Sequence, residues 1–145
     1  MATELQRKMI EKIVSRNTSV YDVMYFYGNQ QAIRQLLTEI EEKYQAAHPN
    51  SRILRTTAAR LREEYIRHLL NGTHGCYTCD LFILENIQEL AGSEYAEQRL
   101  YGHLDWLLEN GRQLIITGTE PVGDILCLAP RIRAQIEGGI CLQVE

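Results

Sequence analysis

A carboxylate and an amide follow an apolar run in the middle of the chain. Residues 80–89 read DLFILENIQE, so Glu85 and Asn86 come directly after four consecutive apolar residues. An uninterrupted apolar run is typical of a strand that is covered on both faces of a parallel sheet. A carboxylate at the end of such a strand supplies the oxygen ligand that Mg²⁺ prefers. This segment predicts the point at which a nucleotidase holds its magnesium ion.

A phosphate-binding loop is expected after the first strand, and its chemistry is largely missing. In the spacing G-x-x-x-x-G-K-[ST], glycines expose backbone amides to the phosphates, the lysine reaches the outer phosphates and the hydroxyl holds Mg²⁺. Residues 28–35 read GNQQAIRQ, so only Gly28 remains. Ile33 takes the place of the second glycine, Arg34 that of the lysine and Gln35 that of the hydroxyl. A branched side chain crowds the amides, and a guanidinium is not equivalent to an ammonium group. We therefore expect no useful hydrolysis.

Composition limits the classes of function. The chain has 145 residues, 45% of them hydrophobic and 23% charged, which suits a single globular domain. The formal net charge of -4 gives no general attraction to nucleic acid, so direct DNA binding is the less favoured hypothesis. The sequence shows neither a membrane-spanning run nor a signal-peptide core, and we expect a cytoplasmic protein without a membrane partner.

One short segment carries cysteines at a spacing used by metal and redox sites. Cys76 and Cys79 form a C-x-x-C pair, and His74 lies two residues before it. A structural zinc site usually needs four ligands, whereas Cys127 and Cys141 stand alone in apolar segments. A redox pair would begin a helix, but Cys79 leads into a strand. A plain loop with one partly buried thiol is the preferred interpretation, and we expect no metal site.

Five arginines lie between residues 52 and 67 and suggest contact with nucleic acid. Glu63 and Glu64 interrupt this basic segment on a predicted helix, between Arg62 and Arg67. Opposite charges at helical spacing favour a solvated helix face with ion pairs between successive turns. A nucleic-acid accessory protein remains an alternative.

The elements that must position these residues alternate between helix and strand. Helical spacing of apolar residues and short apolar runs predict an α/β domain with a five-stranded, mainly parallel sheet and helices on both faces, a three-layer sandwich. Strands are predicted at residues 23–27, 51–55, 80–84, 113–117 and 140–144. Helices are predicted at residues 3–15, 31–46, about 56–70 and 93–109, with shorter ones near 122–126 and 130–136. Thr56 or Thr57 is expected to cap the third helix.

The order of these motifs resembles that of one ATPase family. YFYG at residues 25–28, LFILENIQ at 81–88 and RQLIITGT at 112–119 follow one another with the spacing of the AAA+ base domain of the DnaA family. This family contains bacterial replication initiators and relatives such as Hda and the helicase loaders. The resemblance extends from about residue 21 to residue 144 and implies a P-loop NTPase fold. We expect one domain over residues 1–145, with a helix and linker at 1–20 and with neither a helical lid nor a DNA-binding domain.

The resemblance also assigns roles to single residues. Glu85 stands where the family has an aspartate linked to magnesium, and Asn86 stands where the acid that activates water would be. Because an amide does not accept that proton, this substitution also weakens hydrolysis. The resemblance implies that any bound ATP or ADP would contact Gly28, Asn29, Arg34, Gln35, Glu85, Asn86 and Thr119, the last at the polar sensor position.

The arginine finger of the family is also altered. The resemblance places it at Gln135, with Arg131 retained and Arg133 as a shifted substitute. Arg131, Arg133 and the face carrying residues 95–101 are then candidate contacts with a partner protein, although exposed arginine and tyrosine often only solvate a surface.

These expectations lead to one preferred function and two alternatives. The preferred hypothesis is a DnaA-like domain without a competent ATPase, which acts through protein contacts in replication initiation, its regulation or a related mobile-element process. Its partner would be an AAA+ protein, such as a DnaA-like initiator or a helicase loader, or a second copy of the chain. One alternative is a protein that binds ATP or ADP weakly with little or no hydrolysis, since helix amides attract anions. The other is the nucleic-acid accessory role.

Overall fold

The computed structural model describes residues 4–15, 23–71 and 79–145 of the chain. Helices alternate with five strands, as the sequence predicts. The helices are α1 (Glu4–Ser15), α2 (Gln30–Ala47), α3 (Ala58–Asn71), α4 (Glu94–Glu109) and α5 (Pro130–Glu137). The strands are β1 (Val23–Gly28), β2 (Ile53–Thr57), β3 (Leu81–Glu85), β4 (Gln113–Gly118) and β5 (Ile140–Val144), and short 3₁₀ turns lie at Ile87–Glu89 and Val122–Asp124.

All pairings of the five strands are parallel, in the order β2-β3-β4-β1-β5. Parallel pairing requires every connection to cross a face of the sheet, and the helices make these crossings. The carboxyl ends of the strands consequently share one edge. The expected α/β class and five-stranded parallel sheet are confirmed.

Side chains of each strand alternate between the two faces of the sheet. On β1, Met24 and Phe26 pack with the buried residues of α1 and α2. Val23 and Tyr25 point the other way and pack with α3, α4 and α5. Because successive side chains of a strand point to opposite faces, an apolar run packs against a layer of helices on each face of the sheet. The three-layer architecture follows from this pattern.

Two predicted boundaries differ from those observed. The second strand begins at Ile53 and ends at Thr57, two residues later than predicted, because its register with β3 pairs Thr57 with Glu85. The Thr57 hydroxyl then accepts a hydrogen bond from the amide of Arg60 at 3.2 Å, which confirms a threonine cap on α3. Near residue 122 a single 3₁₀ turn replaces the predicted short helix.

The predicted cysteine loop lies mostly outside the described residues, since residues 72–78 carry both His74 and Cys76. Cys79 is described and is buried just before β3. Burial is the main reason that its pKa is raised to about 11, so this thiol is unreactive at neutral pH. Among the described residues, none of the helices is long and apolar enough to cross a membrane.

His103 is a partly buried titratable group in the layer formed by α3 and α4. Its ring lies 5.2 Å from the ring of Phe82, and its Nδ1 is 3.3 Å from the Tyr65 hydroxyl. Burial lowers the pKa of His103 to about 4, and the positive charge of Arg99 contributes in the same direction. The imidazole is therefore neutral at physiological pH and packs as part of the core.

This histidine predicts a pH dependence of stability. In the unfolded chain it binds a proton below about pH 6.5, whereas in the folded chain it stays neutral down to about pH 4. The free energy of unfolding should therefore fall as pH drops through this window, by up to about 1.4 kcal/mol per pH unit from this group. Urea unfolding of the wild type and of His103→Phe measures the effect. The variant should lose this part of the slope, and equal slopes in the two proteins would contradict the prediction.

Candidate nucleotide site

The carboxyl edge of the sheet brings the predicted site residues to one side of the molecule. In open α/β sheets ligands bind beyond this edge, next to the point where the strand order reverses. Here β1 lies between β4 and β5, and Gly28 ends β1 while Glu85 ends β3. The sequence therefore locates the edge correctly, and local geometry decides what it can bind.

The connection between β1 and α2 is a single residue. Strand β1 ends at Gly28 and α2 begins at Gln30, so only Asn29 lies between them. Asn29 has φ -69° and ψ 108°, and its side-chain oxygen accepts a hydrogen bond from the amide of Ala32 at 3.1 Å. This is an N-cap, in which a side chain satisfies an amide of the first helical turn. The residues that would form a phosphate loop are already helical.

Gly28 makes this short connection possible. Its φ of +117° is a backbone conformation that residues with a side chain rarely adopt. A Cβ placed there would also lie 2.3 Å from the carbonyl oxygen of Val144. That same oxygen accepts a hydrogen bond of 2.8 Å from the amide of Asn29. The carbonyl of Val144 at the end of β5 therefore satisfies the first amide after Gly28.

Gln30 links the carboxyl ends of β1 and β4. Its side-chain nitrogen donates to the carbonyl of Gly28 at 2.9 Å and to the carbonyl of Gly118 at 3.1 Å. The amide group thus spans the ends of the two strands. The sequence motif gave no sign of this contact, because glutamine has no assigned role at that position of a phosphate loop.

The three substituted loop positions lie on α2. Ile33 faces the core and is buried, while Arg34 and Gln35 are exposed on the helix. The match to the phosphate loop set Ile33 at the position of the second glycine, whereas the predicted helix at residues 31–46 set it on a helical face. The structure confirms the helix, and Ile33 packs in the layer of α1, α2 and the sheet.

Glu85 is paired with an arginine that the motif analysis did not select. The Nε of Arg55 donates to Glu85 Oε2 at 3.0 Å, and its Nη2 lies 3.5 Å from Glu85 Oε1. The Nη1 of Arg55 also reaches Glu41 Oε1 and Thr38 Oγ1 on α2, both at 3.2 Å. Burial lowers the pKa of Arg55, but its bonds to Glu85 and Glu41 outweigh this effect and raise it overall.

The strand register contains the signal that identifies Arg55. Thr57 pairs with Glu85 and Arg55 pairs with Ile83, so Arg55 and Glu85 share the face of the sheet that α2 covers. In the sequence this arginine is one of five in a basic segment, and the register that selects it exists only after the strands pair.

A buried hydroxyl supports the backbone after β3. Asn86 has a left-handed backbone, with φ 61° and ψ 59°, and its amide donates to Thr117 Oγ1 at 3.1 Å. Thr117 is buried in β4, whereas Thr119 lies beyond the strand and is exposed. The polar contact between β3 and β4 is thus made two residues before the predicted sensor position.

The two candidate interaction arginines lie on α5, which packs against the opposite face of the sheet from α2. Arg131 is exposed, and its guanidinium carbon lies 4.8 Å from the centre of the Tyr101 ring on α4. Arg133 is half-buried, and Gln135 donates to the carbonyl of Tyr101 at 3.3 Å. A cleft of about 230 Å³ opens beside this pair; Glu94, Gln98, Ala129 and Ile132 contribute to its lining.

Glu97 is a buried carboxylate that shapes this cleft. One of its oxygens accepts a hydrogen bond from the amide of Gly92 at 3.2 Å, and the other accepts from the amide of Ala129 at 2.5 Å. These bonds join the start of α4 to the start of α5. Between them the turn at residues 126–127 carries Leu126 with 85% of its surface exposed.

Comparison with known proteins agrees with this arrangement. A family model described as the bacterial DnaA ATPase domain matches residues 2–143. The chain belongs to this family. It is a DnaA-family AAA+ base domain, as the motif order predicted.

The relatives and solved structures have low sequence identity but share the fold. The chromosomal replication initiator protein DnaA of Lachnoclostridium phytofermentans is 24% identical, over 87% of this chain and 30% of that protein. A structure of the replication initiator DnaA bound to AMPPCP and single-stranded DNA covers 98% of this chain and 46% of that one, with 19% identity and a TM-score of 0.88. The DnaC helicase loader covers 100% of this chain and 93% of that one, with 12% identity and a TM-score of 0.77. The chain spans less than a third of the length of that curated relative.

The geometry at Gly28 predicts the outcome of a glycine replacement. Gly28→Ala should lower the free energy of unfolding by more than about 2 kcal/mol, because of the positive φ and the contact with Val144. Gly102→Ala is the matched control, since a Cβ on this exposed residue of α4 meets nothing within 4 Å. It should raise stability by about 0.5–1 kcal/mol. Urea unfolding of both variants tests this, and a Gly28→Ala protein of wild-type stability would contradict it.

Proposed function

We propose that this chain is a DnaA-like AAA+ domain without a competent ATPase, which acts through protein contacts in the initiation of DNA replication or its control. The observation that carries the proposal is the one-residue connection between β1 and α2. A triphosphate is bound by a loop of free backbone amides followed by a lysine and a hydroxyl. Here the corresponding residues are helical, and Asn29 caps their first turn.

The remaining catalytic positions support the same conclusion. Glu85 is paired with Arg55, and Asn86 has no carboxylate with which to activate water. Gln135 replaces the finger arginine that the resemblance implies. The loss of a finger alone costs about 10³ to 10⁵ in rate, so these changes together remove useful hydrolysis.

The surface that best fits a protein partner is formed by the starts of α4 and α5. Exposed Arg131 lies over Tyr101 beside the cleft, and the turn that precedes α5 exposes the aliphatic side chain of Leu126. Arginine and tyrosine are enriched at the centres of protein interfaces. We propose an AAA+ partner, either a DnaA-like initiator or a helicase loader, and a second copy of this chain as the other candidate. This role places the protein in the cytoplasm.

Nucleotide binding is the first test. The melting temperature of the purified chain should not change as Mg-ATP or Mg-ADP is increased, while an intact DnaA from the same organism serves as the positive control. A ligand at a hundred times its dissociation constant would stabilise the fold by about 2.7 kcal/mol. A saturable rise in melting temperature would show that the edge of the sheet still binds a nucleotide and would favour the weak ATP or ADP binder over the preferred proposal.

Partner binding is the second test. Initiator or helicase loader from the same organism is immobilised, and the affinity of the chain is measured with Arg131→Ala and Leu126→Ser. Each change should weaken binding by about tenfold or more if these side chains lie at the centre of the interface. Lys43→Ala is the control, because its ion pair with Glu39 is on α2 at the other face of the sheet.

Two results of this second test would contradict the proposed contact. One is a result in which Arg131→Ala and Lys43→Ala lower the affinity for the partner by the same factor. The other is absence of partner binding together with salt-sensitive binding to single-stranded DNA, which would favour the nucleic-acid accessory role.

A further inference from the structure

Arg55 occupies the centre of a group of oxygen atoms at the carboxyl edge of the sheet. Its guanidinium is within 3.5 Å of both Glu85 oxygens and 3.2 Å from oxygens of Glu41 and Thr38. The side chains of Arg55 and Glu85 keep only 22% and 15% of their surface exposed. One cation thus joins β2, the end of β3 and the middle of α2.

These oxygens are the kind that a divalent cation prefers, but a cation is already among them. Mg²⁺ requires oxygen ligands at about 2.0–2.1 Å in near-octahedral geometry. Here both carboxylates are directed at the guanidinium, whose fork matches the two oxygens of Glu85. A metal ion would have to displace a positive charge from its own ligands. The residues therefore do not fit the magnesium ion that the family uses with its nucleotide.

We propose that Arg55 is the resident counter-ion of Glu85 and takes the place of the divalent cation at the end of β3. This inference deepens the proposed function and rests on its proposal that the domain has no competent ATPase. The Arg55 guanidinium neutralises the acid from within the chain, so the arrangement of β2, β3 and α2 is independent of metal and ligand. Arg55 is in this sense a positioning residue for the edge of the sheet.

The proposal predicts that removal of Arg55 creates a response to divalent cations. Arg55→Ala leaves Glu41 and Glu85 without their shared cation and should lower the melting temperature by about 5–10 °C. Millimolar Mn²⁺ should restore at least half of this loss, because the exposed carboxylates then bind the metal. Wild type should show no shift with Mn²⁺. Arg55→Lys should be less stable than wild type but equally insensitive to Mn²⁺, since it keeps the charge and loses the planar fork.

Two controls assign the response to these residues. Arg62→Ala removes another arginine of the same basic segment, which donates to the Glu89 carbonyl, and it should not create a response to Mn²⁺. Adding Glu85→Gln to Arg55→Ala should abolish the recovery, because one of the two carboxylates is gone. A folded Arg55→Ala protein that Mn²⁺ leaves unchanged would overturn the proposal.

The wild type alone also tests the proposal, even if Arg55→Ala does not fold. Electron paramagnetic resonance of free Mn²⁺ should show no stoichiometric binding to the wild-type chain. Binding that Glu85→Gln removes would overturn the proposal while leaving the proposed function intact. Conversely, saturable ATP binding in the presence of a chelator would favour the weak nucleotide binder over the proposed function and leave Arg55 as the counter-ion.

Discussion

The direct junction between β1 and α2 is the constraint on which the rest of this site depends. A strand and a helix separated by one residue require a backbone that only glycine adopts readily, and Gly28 supplies it with φ +117°. The first free amides of the junction are then taken by Val144 and by the Asn29 side chain. In a P-loop, free backbone amides bind the phosphates, so the contacts that stabilise this junction support the proposal that the domain has no competent ATPase.

The negative charge of Glu85 at the carboxyl edge is also balanced within the chain. A carboxylate at the end of a buried strand is unfavourable without a counter-charge, since its desolvation cost must be offset. In this chain Arg55 supplies that charge from the neighbouring strand. The two apolar layers bury both faces of the sheet. This packing sets the α/β architecture, while the Gly28 junction and the ion pair order its carboxyl edge.

The periodic parts of the fold were predictable because their signal is local. Apolar runs identified the five strands within two residues, and helical spacing identified the long helices, since burial on both faces imposes these patterns directly. The ends of the elements were predicted less accurately. Strand β2 spans Ile53–Thr57, two residues later than predicted, because pairing with β3 sets its register. The candidate interaction surface at Arg131 was predicted from sequence, and the structure adds the Tyr101 ring and the cleft beside it.

The sequence by itself determined the α/β class, the order of motifs and the loss of the glycine, lysine and hydroxyl of a phosphate loop. Only the tertiary structure decided that a single residue joins β1 to α2, that Gln30 bridges β1 and β4, and that Arg55 pairs with Glu85. The physical reason is the range of the interactions. Residue types and periodicity act between neighbours in the chain, whereas Arg55 and Glu85 are thirty residues apart and meet only when parallel strands align.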